Sequence, residues 1–121
     1  MSSGQEATLP EDLGRHLERL RRTKRELVEE VKLLHKRVLK IENCLELLEG
    51  RTDDLPCTFC RGLVYQQSTV RALREGLSAS LAVNGDLYSE AHGRLMSLHE
   101  QIRLAEGASN QNNRRFGAPE G

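Results

Sequence analysis

The sequence has no tryptophan, and only two Phe and two Tyr in 121 residues. A compact globular core ordinarily leans on large aromatic side chains, because each buries so much area. Their scarcity argues against such a core. Charge of one sign is also lacking: 18 Lys and Arg balance 18 Asp and Glu. A dedicated nucleic-acid binder usually carries a positive surplus, so no nucleic-acid partner is expected. No apolar run approaches the roughly 20 residues of a membrane span, so no membrane partner is expected either. The opening "MSSGQEATLPED" lacks the basic-then-apolar pattern of a signal peptide. Three cysteines, an odd number without secretory context, read as reduced thiols of a cytoplasmic protein. A phosphate-binding Gly loop is missing, as is any carboxylate pair or nucleophile with a nearby base. The chain therefore reads as no enzyme, with no cofactor.

What is present is Leu, Glu, Lys and Arg: 37% of residues are hydrophobic and 30% charged. That balance belongs to long helices and coiled coils, here in a single domain. Residues 10–49 place apolar side chains at Leu13, Leu17, Leu20, Leu27, Val31, Leu34, Val38, Ile41, Leu45 and Leu48. The steps alternate between four and three residues, and Lys24 alone breaks the class. This is a heptad seam held for about five heptads. Thr8 can cap the helix, Pro10 suits its first turn, and Gly50 stops it. Its length would be about 60 Å. A seam this narrow cannot be buried by one helix alone. Within it, "RLRRTKR" at 19–25 is a basic cluster. It reads either as a surface for an anionic partner or as a solvated helix face backed by Glu26, Glu29 and Glu30.

A second helix is predicted over 69–106, capped by Ser68 or Thr69. Its seam starts at Val70, Leu73 and Leu77, slips by one residue, and resumes at Leu81, Asn84, Tyr88, Ala91, Leu95, Leu98 and Ile102. Such a slip resembles a stutter. Gly76, Gly85 and Gly93 each cost about 1 kcal/mol against Ala, making this the softer helix. Residues 1–9 and the polar, Gly-rich stretch 107–121 read as disordered tails.

Between the helices lies "DDLPCTFCRGLVYQQSTV", residues 53–70. Its C-x-x-C raises a zinc or thiol-redox reading for Cys57 and Cys60. A structural zinc site wants four ligands, and no second pair or nearby His supplies them. The other reading is a β-hairpin over 56–67 with Arg61-Gly62 as its turn. Phe59 would then face Val64, and Cys60 would face Leu63. Alternation places Cys57, Phe59 and Val64 on one side, and Cys60, Leu63 and Tyr65 on the other. A lone hairpin with two apolar faces is marginal in water and seeks other strands. The fold expected is mainly α: an antiparallel two-helix coiled coil with a short β-hairpin insert at the connection.

This pattern resembles the beta class of prefoldin subunits, most closely the eukaryotic subunit-two type. That family carries an "RLRQEQR"-like run in its first helix, where this chain has "RLRRTKR". It then has a Cys-aromatic strand, glycines, a "VLVERTV"-like strand and a second helix. Here "PCTFCRGLVYQQSTVRALREGL" occupies 56–77 at nearly the same spacing. The family's Gly-Gly is a single Gly62, one residue shorter. The likeness covers about residues 10–106.

The resemblance implies a cochaperone subunit of a hetero-hexamer whose hairpins form β-barrels. Its partners would be other prefoldin subunits, non-native clients such as actin and tubulin, and the group II chaperonin. No nucleotide is used. Cys57, Phe59, Cys60, Leu63, Val64 and Tyr65 would assemble the body. Clients would be held at the coiled-coil tips by Leu13, Leu17, Leu20, Leu95, Leu98, Ile102 and Leu104, or these residues simply pair with one another. A competing expectation is a structural coiled-coil subunit of a kinetochore, tethering or lysosome-positioning complex.

Overall fold

A computed structural model describes residues 10–115. Two long helices, α1 (Pro10–Leu48) and α2 (Val70–Arg115), flank a hairpin of β1 (Pro56–Arg61) and β2 (Val64–Thr69). The expected mainly helical fold with a hairpin insert is present. None of the described helices is long and apolar enough to cross a membrane.

α1 begins at Pro10, with Glu11 and Asp12 in its first turn, where carboxylates favour the positive end of the helix. Gly50 stops it by taking φ +79°, the left-handed value that glycine adopts without a Cβ penalty. α2 is capped as the sequence predicts: Ala72 N–H donates to Thr69 Oγ1 at 3.2 Å. The expected cap Thr8 lies outside the described residues.

One prediction needs correcting. α2 does not end at Glu106 but continues through Gly107 to Arg115. A helix already nucleated adds residues at small cost, and one glycine is not enough to stop it. Ala105 is buried and Ser109 half-buried, so the seam itself runs on past Ile102. The rest of the predicted tails, 1–9 and 116–121, lies outside the described residues.

The chain forms two compact units. In the terminal unit, 10–30 and 91–115, Leu13, Leu17 and Leu27 of α1 are buried, as are Ala91, Leu95, Leu98, Ile102 and Ala105 of α2. Leu20 and Lys24 are half-buried along the same seam, and Val28 is half-buried beside it. Arg21 donates to Glu106 across the helices at 3.0 Å.

In the hairpin unit, Val31–Glu90, the two helix segments run antiparallel. His35 stacks on Tyr88, with ring centroids 5.4 Å apart, and Arg74 meets the end of α1 at Leu48. Leu34, Leu48 and Val70 are buried here. The seam residue Asn84 satisfies its amide within α2, donating to Ser80 O at 2.9 Å and Ser80 Oγ at 3.2 Å.

The hairpin is antiparallel, but its register differs from the expected one. Cys60 faces Tyr65 and Phe59 faces Gln66, with Gly62 and Leu63 as the turn. Gly62 takes φ +65°, while no described non-glycine has positive φ. That is the Gly-first pattern of a two-residue hairpin turn, whereas the sequence reading placed the glycine second. Each pairing moves by two residues, so the faces survive. Cys57, Phe59 and Val64 share one side, and Cys60 and Tyr65 the other. Leu63 leaves the second side for the turn.

Candidate functional site

The hairpin is held to the helices by a clamp at its base. α1 ends with carbonyls that no helical N–H reaches. Arg74, one turn into α2, supplies donors: its Nη2 reaches Leu48 O at 3.1 Å and Arg51 O at 3.3 Å. Its Nη1 donates to Asp53 Oδ1 at 2.6 Å. Arg71 approaches the other Asp53 oxygen at 3.7 Å. Backbone bonds close the ring, with Val70 N–H donating to Leu55 O and Arg71 N–H to Asp53 O, both at 3.0 Å. Val70 at the centre is 0% exposed. The clamp fixes where the hairpin leaves the helices.

The hydrogen bond from Arg74 holds the Asp53 carboxyl below its ordinary value of 3.8. Desolvation opposes this, and the charges of Arg74 and Arg71 add to it. A lowered native value means the ion pairs stabilise the clamp above the unfolded value, and that their contribution is lost as pH falls through the native one. Amide exchange at Val70 and Arg71, corrected for intrinsic rates, should therefore quicken as pH drops below 3.8. Asp53→Asn should exchange fast at every pH. Arg74→Met should cost about 1 kcal/mol in thermal melts, because the Arg51 carbonyl loses its Arg74 donor and Leu48 O is left with the Arg51 N–H alone.

Above the clamp, the hairpin stands open. Leu63 is 100% exposed, Tyr65 75% and Val64 60%. Phe59 and Cys57 are half-buried, and Cys60 is exposed with its thiol donating to Gly62 O at 3.0 Å. A two-stranded sheet leaves both outer edges unpaired. So the predicted assembly residues do gather on one exposed element.

Cys57 and Cys60 fall on opposite faces of β1, so the two thiols do not meet at one ion. Among the described residues, no group of three or more His, Cys, Asp or Glu is placed to hold a metal. Cys44 is free and half-buried in α1.

The helix ends look different. Leu13, Leu17, Leu95, Leu98 and Ile102 are buried in the seam of the terminal unit, and Leu20 is half-buried. Of the predicted client-binding residues, Leu104 alone is exposed, at 60%, with Met96 also exposed on the same helix. The seam positions face the partner helix, so they are the packed residues of the pair; Leu104 lies off the seam.

Leu33, Leu39, Leu47, Val83 and Leu87 of the hairpin unit are also exposed, which the sequence reading overlooked. The signal was there: each sits outside the heptad seam, and Leu33 and Leu47 directly precede the seam residues Leu34 and Leu48. Large apolar side chains off the seam have no intramolecular partner to bury them. The Arg74 clamp, by contrast, leaves no pattern in the sequence.

No protein-family model matches this chain, and no curated protein matches it.

Proposed function

We propose that this chain is a subunit of a prefoldin-type cochaperone in the cytoplasm. Its hairpin joins those of other subunits in a barrel-bodied hetero-hexamer. The helix ends hold non-native proteins of the actin and tubulin kind and pass them to the group II chaperonin, without nucleotide. The observation that supports this reading most is the hairpin: two free edges and exposed Leu63, Val64 and Tyr65, carried on a clamped base between two long helices. A lone element of this kind gains by adding strands from other chains.

The experiment is suppression of aggregation of chemically unfolded actin by the purified assembly. Suppression is expected, and it should weaken when Leu104 and Met96 are replaced by Ser and when the ends are opened by Leu98→Asp. An assembly that never delays aggregation would refute the chaperone reading.

The buried seam of the terminal unit favours a second reading, a structural coiled-coil subunit of another complex. There the ends would pair permanently and bind no unfolded chain.

A further inference from the structure

The terminal unit contains a cleft of about 540 Å³ lined by Arg21, Lys24, Arg25, Val28, Glu29, Ile102 and Glu106. It opens where the leucine seam is broken. Lys24 occupies a core-type position in a run of Leu and Val, and it is half-buried. A lysine there lays its methylenes along the seam and sends its amine outward. The half-buried side chain of Val28, with only the edge of the buried Ile102, is thus left beside a cationic mouth.

The charges in the cleft are unequal. Arg21 neutralises Glu106 at 3.0 Å, showing that a carboxylate already docks on this wall. Glu29 has an interaction of its own. Lys24 and Arg25 have no ion pair or side-chain hydrogen bond among the described residues, nor do Arg19 and Arg22 alongside.

We propose that this cleft docks a segment of a partner protein carrying a large apolar side chain flanked by carboxylates. The apolar side chain would lie against Val28 and the edge of Ile102 that lines the cleft. The carboxylates would pair with Lys24 and Arg25, as Glu106 pairs with Arg21. A volume of this order suits one such anchor and its neighbours. Nucleic acid fits less well: two carboxylates line the same cleft, and apolar walls offer nothing to a phosphate backbone. The inference holds for a chaperone subunit and for a structural one alike.

The test is fluorescence anisotropy of a short labelled peptide of Asp, Glu, Leu and Phe on the full chain, in whatever assembly it purifies. Saturable binding is expected. Arg25→Glu should weaken it on the order of tenfold. Lys24→Leu should weaken it similarly while raising the melting temperature, because the seam then closes. A residue needed only for folding would not lose binding as stability rises. The proposal fails if no saturable binding occurs, or if both variants bind unchanged. It fails equally if a peptide with Lys in place of the acidic residues binds as well. Tighter binding of a single-stranded oligonucleotide, or of a peptide of residues 116–121, would reassign the cleft and overturn the proposal.

Discussion

Replacing Gly76, Gly85 and Gly93 together by alanine raises the stability of the chain by about 2–3 kcal/mol. All three lie in the interior of α2. Each costs the helix backbone entropy without supplying a side chain. Nothing opposes the change sterically: a Cβ built at any of the three meets no neighbouring atom within 4 Å. Gly50 and Gly62 differ, because their positive φ values make a side chain strained there whatever the space. The melting temperature of the triple variant should rise on the order of 10 °C. An unchanged or lower value would mean that the glycines serve a close approach by another chain. That outcome would itself point to a subunit contact on α2.

Val64→Asp with Tyr65→Asp abolishes assembly while both helices persist. Both side chains are largely exposed in the single chain, so folding should lose no more than about 0.5 kcal/mol. They lie on opposite faces of the hairpin, so in a shared barrel the one turned inward would bury an apolar side chain worth about 1.5–3 kcal/mol. A buried carboxylate without a partner there would cost still more. Association should weaken by at least about a hundredfold. Size-exclusion chromatography reads the assembly, and far-ultraviolet circular dichroism reads the helices. A variant that elutes with the parent assembly would place the interface elsewhere. The off-seam leucines Leu33 and Leu47 would then be the first residues to examine.

Much of this fold could be read from the residues because its code is periodic. Leu13, Leu17, Leu27, Leu34 and Leu48 fall on the heptad seam and are buried there. The slip after Leu77 kept Ala91, Leu95, Leu98 and Ile102 on the buried side as well. The hairpin was legible because an apolar alternating run flanks a glycine between two helices. Its turn was not, since Arg61-Gly62 and Gly62-Leu63 both satisfy a two-residue loop, and the choice rests on the backbone φ of Gly62. Face assignment survived because the two alternatives differ by an even number of residues.

The end of α2 was hidden for another reason. Ala105 and Ser109 continue its seam with small side chains, which give no hydrophobic signal in a stretch of Gly, Asn and Gln. The Arg74 clamp depends on the loop folding back from Leu48 to Asp53, a juxtaposition that no spacing encodes. At the helix ends, the leucines predicted to grip clients were the same leucines the seam needs, and the seam holds them. Leu104, one helical position away from the buried Ala105, is the exception.

The most direct measurement is native mass spectrometry of the tagged chain with its copurifying proteins, alongside a form lacking residues 55–67. A barrel-bodied prefoldin-type assembly predicts a complex of six chains, five of them other subunits of long-helix and hairpin design. It also predicts that deleting the hairpin releases a single helical chain. A full-length chain that is monomeric, or a deletion that leaves the complex intact, would contradict it.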